Sequence, residues 1–181
     1  MIRKIIYILI LAAFCTACRN YTPSSYRGLP QQYTLAYEQI YGHCYDSVPL
    51  AVVGLDIYSD GLELDENNHI KGTGYNLCIT DIFVPDSLLE EGEYKSTITT
   101  NQSPVLPFTF LPGRDFEGYP HGIYILNIEN DKVIQIQVVD SGSFVYRNDS
   151  LNFTLYFRNA YGSRTTYKCF FTGQLIPWLK Q

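Results

Sequence analysis

The chain of 181 residues predicts an all-β fold: an antiparallel β-sandwich or flattened barrel of about nine to ten strands, joined mostly as a meander. Three observations carry this. Apolar and polar residues alternate with a period of two through most of the chain beyond residue 50, the pattern of a sheet with one buried face. Clusters of Gly, Pro, Asn and Asp interrupt the alternation at short, fairly regular spacing. A single helical turn at Ser87 to Glu91 is the only helix expected.

Taken in order, Leu50 to Tyr58 (LAVVGLDIY) is a strand rich in β-branched residues. Asp60 to Asn68 (DGLELDENN) reads as a solvated hairpin loop. Tyr75 to Val84 alternates Tyr75, Leu77, Ile79 and Phe83 against Asn76, Cys78 and Thr80. Gly122 to Ile128 and Val133 to Val139 face each other across Glu129-Asn130-Asp131-Lys132. In the second of these, Ile134, Ile136 and Val138 share one face and Gln135 and Gln137 the other. Leu151 to Phe157 points Leu151, Phe153, Leu155 and Phe157 inward. Tyr167 to Thr172 repeats this with Tyr167, Cys169 and Phe171. Antiparallel neighbours need only short loops, so successive hairpins are the simplest topology.

The N-terminus is organised differently. Arg3 and Lys4 precede an apolar run, Ile5 to Phe14, which has the length of a signal-peptide core and is too short for a permanent span. Thr16 and Ala17 then stand directly before Cys18. This resembles a bacterial lipoprotein signal, with residues 1–17 removed and Cys18 becoming the lipidated first residue. Its irregularity is Cys15, where an aliphatic is usual. Residues 18–32, polar with Pro23, Gly28 and Pro30, read as a flexible tether, and 33–181 as one β-domain. The expected partner is a membrane through the lipid anchor, in a bacterial cell envelope. An acidic cluster after the Cys, common in surface-exported lipoproteins, is missing, so both a periplasm-facing placement and the outer-membrane surface stay open.

The formal charge of -5 still counts Arg3 and Lys4, so the processed chain is more acidic. An acidic chain without a Lys/Arg cluster argues against nucleic acid as a partner. Of five cysteines, Cys44, Cys78 and Cys169 remain after processing and acylation. They read as buried small hydrophobes. The alternative in an oxidising compartment is one disulfide, with Cys78 and Cys169 the first pair to test because both lie in strands.

From Tyr37 onward the chain resembles a group of uncharacterised lipoprotein β-domains of Bacteroides-type bacteria. The resemblance rests on Ile40-Tyr41-Gly42, Gly72-Thr73-Gly74-Tyr75 and Glu90-Glu91-Gly92-Glu93-Tyr94. It continues through Phe110-Leu111-Pro112-Gly113, Gly122-Ile123-Tyr124, Gly142-Ser143-Phe144 and Phe171-Thr172-Gly173-Gln174-Leu175. Glu90 stands where Pro is commoner. These are turn glycines and packing aromatics. The resemblance implies a β-domain and transfers no activity.

No motif assigns a catalytic residue, a cofactor or a metal. His43 and Cys44 are sequence neighbours and point to opposite sides of a strand, a poor arrangement for a thiol and its base. Aromatic residues carry the binding expectation, with 16 Tyr beside one Trp. Phe116, Tyr119, Tyr156 and Tyr161 fall in loops or at outward positions, where rings stack on sugars or anchor a protein. A glycan or an envelope protein is the expected ligand. Three Asp-Ser-apolar triplets place Ser47, Ser87 and Ser150 at turns and look like acceptors of the O-glycosylation system of Bacteroides-like bacteria. The expectation is a non-enzymatic binding or interaction module. A glycan-binding accessory lipoprotein of a polysaccharide-uptake system is the alternative, and a hydrolase comes third.

Overall fold

A computed structural model describes residues 28–45, 48–98, 104–116, 119–158 and 161–179. The predicted signal 1–17, Cys18, most of the 18–32 tether and Ser47 lie outside the described residues, as do the side chains of Phe116 and Leu179.

The fold is all-β. Strands β1 (Gln32–Tyr33) and β2 (Leu35–Gly42) lead into β3 (Ala51–Tyr58). A small hairpin, β4 (Leu62–Leu64) and β5 (Ile70–Gly72), precedes the long β6 (Gly74–Val84). Then come β7 (Gly92–Ser96), β8 (Thr109–Phe110) and a second small hairpin, β9 (Arg114–Phe116) with β10 (Tyr119–His121). The chain continues through β11 (Ile123–Glu129), β12 (Lys132–Val138), β13 (Ser141–Arg147), β14 (Ser150–Arg158), β15 (Arg164–Thr172) and β16 (Ile176–Leu179). The turn expected at Ser87 to Glu91 is a bend, not a helix. Its amides are taken elsewhere: Leu89 N–H by the Glu38 carboxylate and Glu90 N–H by the Tyr94 hydroxyl.

Twelve strands form one curled sheet ordered β1-β15-β14-β13-β7-β8-β6-β3-β2-β16, with β11 branching from β6 and β12 outside β11. The sheet is mixed rather than purely antiparallel, because β1–β15, β7–β8 and β16–β2 are parallel ladders. Gln32 pairs Phe170 and Tyr33 pairs Phe171, while Tyr37 pairs Ile176 and Ile40 pairs Leu179. The first two strands therefore run beside the last two.

Alternation builds the core. Ala51, Val53, Leu55 and Ile57 of β3 and Leu77, Ile79, Ile82 and Val84 of β6 point inward. Across β7, β13, β14 and β15 one inner row reads Tyr94, Phe144, Phe153, Cys169. The Tyr94 and Phe144 rings stack at 4.5 Å, and the Phe153 ring follows 5.4 Å from Phe144. Such rings bury large apolar areas and pack with specific geometry. Two-residue turns with positive φ, Asn130-Asp131 and Asn148-Asp149, join β11 to β12 and β13 to β14, as the right-handed strand twist favours.

Three details depart from simple alternation. A register shift between Val53 and Leu55 moves Phe83 off the face it was expected to share with Leu77 and Ile79. A second apolar cluster of Tyr58, Leu62 and Ile128 lies beneath the β4–β5 hairpin. The Asp131 carboxylate clamps this hairpin by accepting the Gly72 N–H at 2.6 Å. Finally, β12 is not half-buried as its pattern predicts. Ile134 is 53% and Ile136 44% exposed, and neither belongs to an apolar cluster, so their face is uncovered among the described residues.

Candidate functional site

The outer face of β13, β14 and β15 carries an open depression of about 450 Å³. Two cross-strand rows build it. One places Ser143, Thr154 and Lys168 side by side; the next places Val145, Asn152 and Phe170. Inward neighbours Phe153, Leu155, Tyr167 and Phe171 fix these positions, because turning the core residues in turns the alternate ones out. Phe170 N–H donates to the Gln31 carbonyl at 2.9 Å, which seats Gln31 at the rim. An exposed ring thus stands beside two carboxamides, two hydroxyls and an ammonium. That set can stack on an apolar ring face while donating to and accepting from hydroxyl groups.

Tyr156 is the next outward residue of β14, opposite Ser141 and Thr166. The Arg164 guanidinium lies 3.6 Å from the centre of its ring and donates to Ser141 Oγ at 2.9 Å. One face of Tyr156 is therefore covered by a cation. Tyr161, in the β14–β15 turn, is 89% exposed, and Tyr119, on β10, is 71% exposed. Phe116 pairs Tyr119 across the β9–β10 hairpin. Gly113 N–H, just before β9, donates to the Val139 carbonyl, and Asp140 N–H donates to the Tyr156 carbonyl. The β9–β10 hairpin therefore leaves the sheet at the end where β14 and β15 turn. The backbone of Phe116 and residues Tyr119, Tyr156 and Tyr161 share that end of the sheet. Phe170 and Asn152 were not singled out from the sequence. The available signal was an aromatic at an outward position between inward Cys169 and Phe171.

A second cluster lies on the outer side of β2, β3, β6 and β11. One row reads Tyr37, Asp56, Cys78, Tyr124. Cys78 hydrogen-bonds Asp56 and Tyr124, Gln39 donates to Asp56, and Tyr41 donates to Gln39. The Tyr41 ring lies over Gly54, where an added Cβ would stand 3.0 Å from it. Burial, and then the Asp56 charge, hold the Cys78 thiol well above its usual range. Burial also pushes Tyr41 up to about 12, with Asp56 adding to the shift. These protons stay on, so Cys78 is a hydrogen-bonded thiol and not an activated nucleophile.

Cys44, Cys78 and Cys169 are free thiols, Cys44 exposed and the other two buried. The candidate Cys78–Cys169 disulfide is not formed. Cys169 belongs to the main core beside Tyr167, whereas Cys78 faces Asp56 and Tyr124, on strands that are not neighbours. Ser87 is exposed on the loop after β6, with its N–H on the Asp86 carboxylate at 2.8 Å. Ser150 starts β14, and its hydroxyl donates to the Phe171 carbonyl at 3.3 Å. No group of three or more His, Cys, Asp or Glu capable of holding a metal occurs among the described residues. In the Asp60 to Asn68 loop, Asp65 accepts the N–H groups of Asn67 and His69 at 2.9 Å each and so closes its own turn. No helix among the described residues is long and apolar enough to cross a membrane.

No protein-family model, curated protein or solved structure matches the chain.

Proposed function

We propose that this chain is a lipid-anchored, non-enzymatic protein of the bacterial cell envelope whose β-domain is a binding module. It would belong with the Bacteroides-type lipoprotein β-domains that it resembles. The paired chain ends, β1 with β15 and β2 with β16, favour a flattened barrel over a sandwich. The observation that carries the binding reading is the open depression over β13 to β15. The inner face is filled by Tyr94, Phe110, Phe144 and Phe153, so polar and aromatic groups meet a ligand on the outside. The anchor reading rests on Arg3, Lys4, the apolar run and Cys18, with acyl chains supplying attachment without a span. Its test is the intact mass of the protein from bacterial membranes. The expected species begins at acylated Cys18, and Cys18→Ser abolishes it. An unmodified N-terminus would overturn the anchor.

A second reading, a glycan-binding accessory protein of polysaccharide uptake, is favoured by one observation. Phe170 lies among Asn152, Thr154, Ser143 and Lys168, groups suited to a sugar's apolar face and hydroxyls. Binding to a glycan array should be selective, and it should fall at least tenfold in Phe170→Ala, as loss of more than about 1.4 kcal/mol requires. Equal signal from every glycan would contradict it.

A further inference from the structure

The free edge of β12 matches a second copy of itself. Val139 N–H donates to the Ile123 carbonyl on one side, and Asp140 N–H donates to the Tyr156 carbonyl on the other. Alternate residues of a strand aim their amides at opposite edges. The amides of Gln135 and Gln137 thus face β11, and those of Ile136 and Val138 face the open edge. No other described strand pairs there. Natural proteins blunt such edges with charges, Pro or bulges. Here the protection is confined to the start of the strand: Lys132, and the bulge at Ile134, the extra residue between Val133 paired to Ile128 and Gln135 paired to Asn127. From Gln135 to Val138 the edge carries neither charge nor proline.

We propose that two copies of this chain associate by antiparallel pairing of their β12 edges about a two-fold axis at Gln135 or Ile136. Three observations point to a second copy. Gln135 and Gln137 lie on one face, so a two-fold at either position sets carboxamides across from carboxamides. Gln137 Nε2 donates to Gln135 Oε1 at 3.4 Å, which leaves the Nε2 of the exposed Gln135 as a donor for the carboxamide across the axis, Gln135 in one register and Gln137 in the other. Ile134 and Ile136, both exposed, meet aliphatic residues of the other copy in either register. The charges also agree. Lys132 comes to the end of the other strand, towards Asp140, and no like charges fall opposite each other within the pairing. Such a pairing is isologous and closes at two copies. A single strand pair falls short of the roughly 800 Å² per partner of a standard interface. The association is therefore weak in dilute solution and strengthened by confinement at high local concentration. It does not depend on the glycan reading or on the β13 to β15 depression.

The test uses the full chain in membranes of expressing cells, in a Cys44→Ser background, with Gln135→Cys or Ile136→Cys introduced singly. Only the residue at a two-fold axis meets itself, so oxidation should give a covalent dimer at one of these positions. It should give none from Lys168→Cys on the outer face of β15. Adding Ile134→Lys, at an exposed position that leaves the fold and its thermal melting unchanged, should abolish the dimer. Absence of dimer at both positions would overturn the inference. So would equal cross-linking at Lys168→Cys, or cross-linking that survives Ile134→Lys.

Discussion

The hydroxyls of Tyr33 and Tyr167 lie 3.2 Å apart across 134 residues of sequence, and the Tyr167 hydroxyl donates a hydrogen bond to the Pro30 carbonyl. This relay ties the first strand of the domain to β15 at the point where the parallel β1–β15 ladder forms. Both rings belong to the core. Burial, the largest cause in each case, raises both hydroxyls far above the usual tyrosine range, so both remain donors.

Tyr167→Phe leaves the Tyr33 hydroxyl and the Pro30 carbonyl without that partner. The expected loss is about 1–3 kcal/mol, the cost of a buried polar group left unsatisfied. Adding Tyr33→Phe removes the stranded hydroxyl, so the double variant should lose less than the sum of the two single variants. Urea unfolding of the four proteins measures this. Additive losses would show that the hydroxyls do not act as a pair.

Glu38 gives a pH-dependent counterpart. It is buried on β2, with its carboxylate accepting the Leu89 N–H. Burial raises its pKa above the ordinary carboxylate value, and the hydrogen bond only partly offsets this. The folded state then holds the proton more tightly than the unfolded state. Stability from this group is present at low pH, falls as pH rises from the unfolded pKa through the raised folded pKa, and is flat above it. Glu38→Gln keeps an acceptor for Leu89 without the charge. It should raise the melting temperature at neutral pH and lose that advantage below the carboxylate range. Melting curves across pH check this; an advantage that grows with acidity would contradict it.

The thiols should divide in the same way that they are buried. Cys44 should react with an aromatic disulfide reagent in the native protein, while Cys78 and Cys169 react only on unfolding. Burial pushes Cys169 up to about 12 and Cys78 well above its usual range, so their thiolates are scarce at neutral pH. Counting labelled thiols before and after denaturant measures this. Rapid labelling of Cys78 in the native state would contradict its place between Asp56 and Tyr124.

Ser87 and Ser150 should differ as glycan acceptors in a Bacteroides-like host. Ser87 is exposed on a loop, whereas the Ser150 hydroxyl is engaged by the Phe171 carbonyl and the Asn152 amide. If modification follows folding, Ser87 carries the larger share of glycan mass. Ser87→Ala should then remove more added mass than Ser150→Ala, as intact-mass spectra would show. Equal loss would place modification before folding.

The hairpins were legible because their signals are local. Asn130-Asp131 and Asn148-Asp149 set turns whose flanking strands alternate on each side, and Leu151 to Phe157 points inward as its pattern predicts. The parallel contact of the chain ends was not legible, since pairing Tyr33 with Phe171 leaves no mark on neighbouring residues. The exposure of β12 was hidden for a related reason. Period-two patterning records which residues share a face, not whether anything covers that face. The outer depression was half visible: Asn152, Thr154 and Tyr156 read as outward from alternation, but their pairing with Lys168 and Phe170 needed the register. Asp56, a charged residue in an apolar strand, was the sequence trace of the cluster around Cys78.

On the proposed reading, the domain works by binding a ligand on the outer face of β13 to β15. The most direct measurement is glycan-array binding by the wild-type chain beside Phe170→Ala and Asn152→Ala, with Tyr119→Ala as a variant away from the depression. Selective binding is expected, abolished in Phe170→Ala and Asn152→Ala and left in place in Tyr119→Ala. Selective binding unchanged by Phe170→Ala and Asn152→Ala would contradict it.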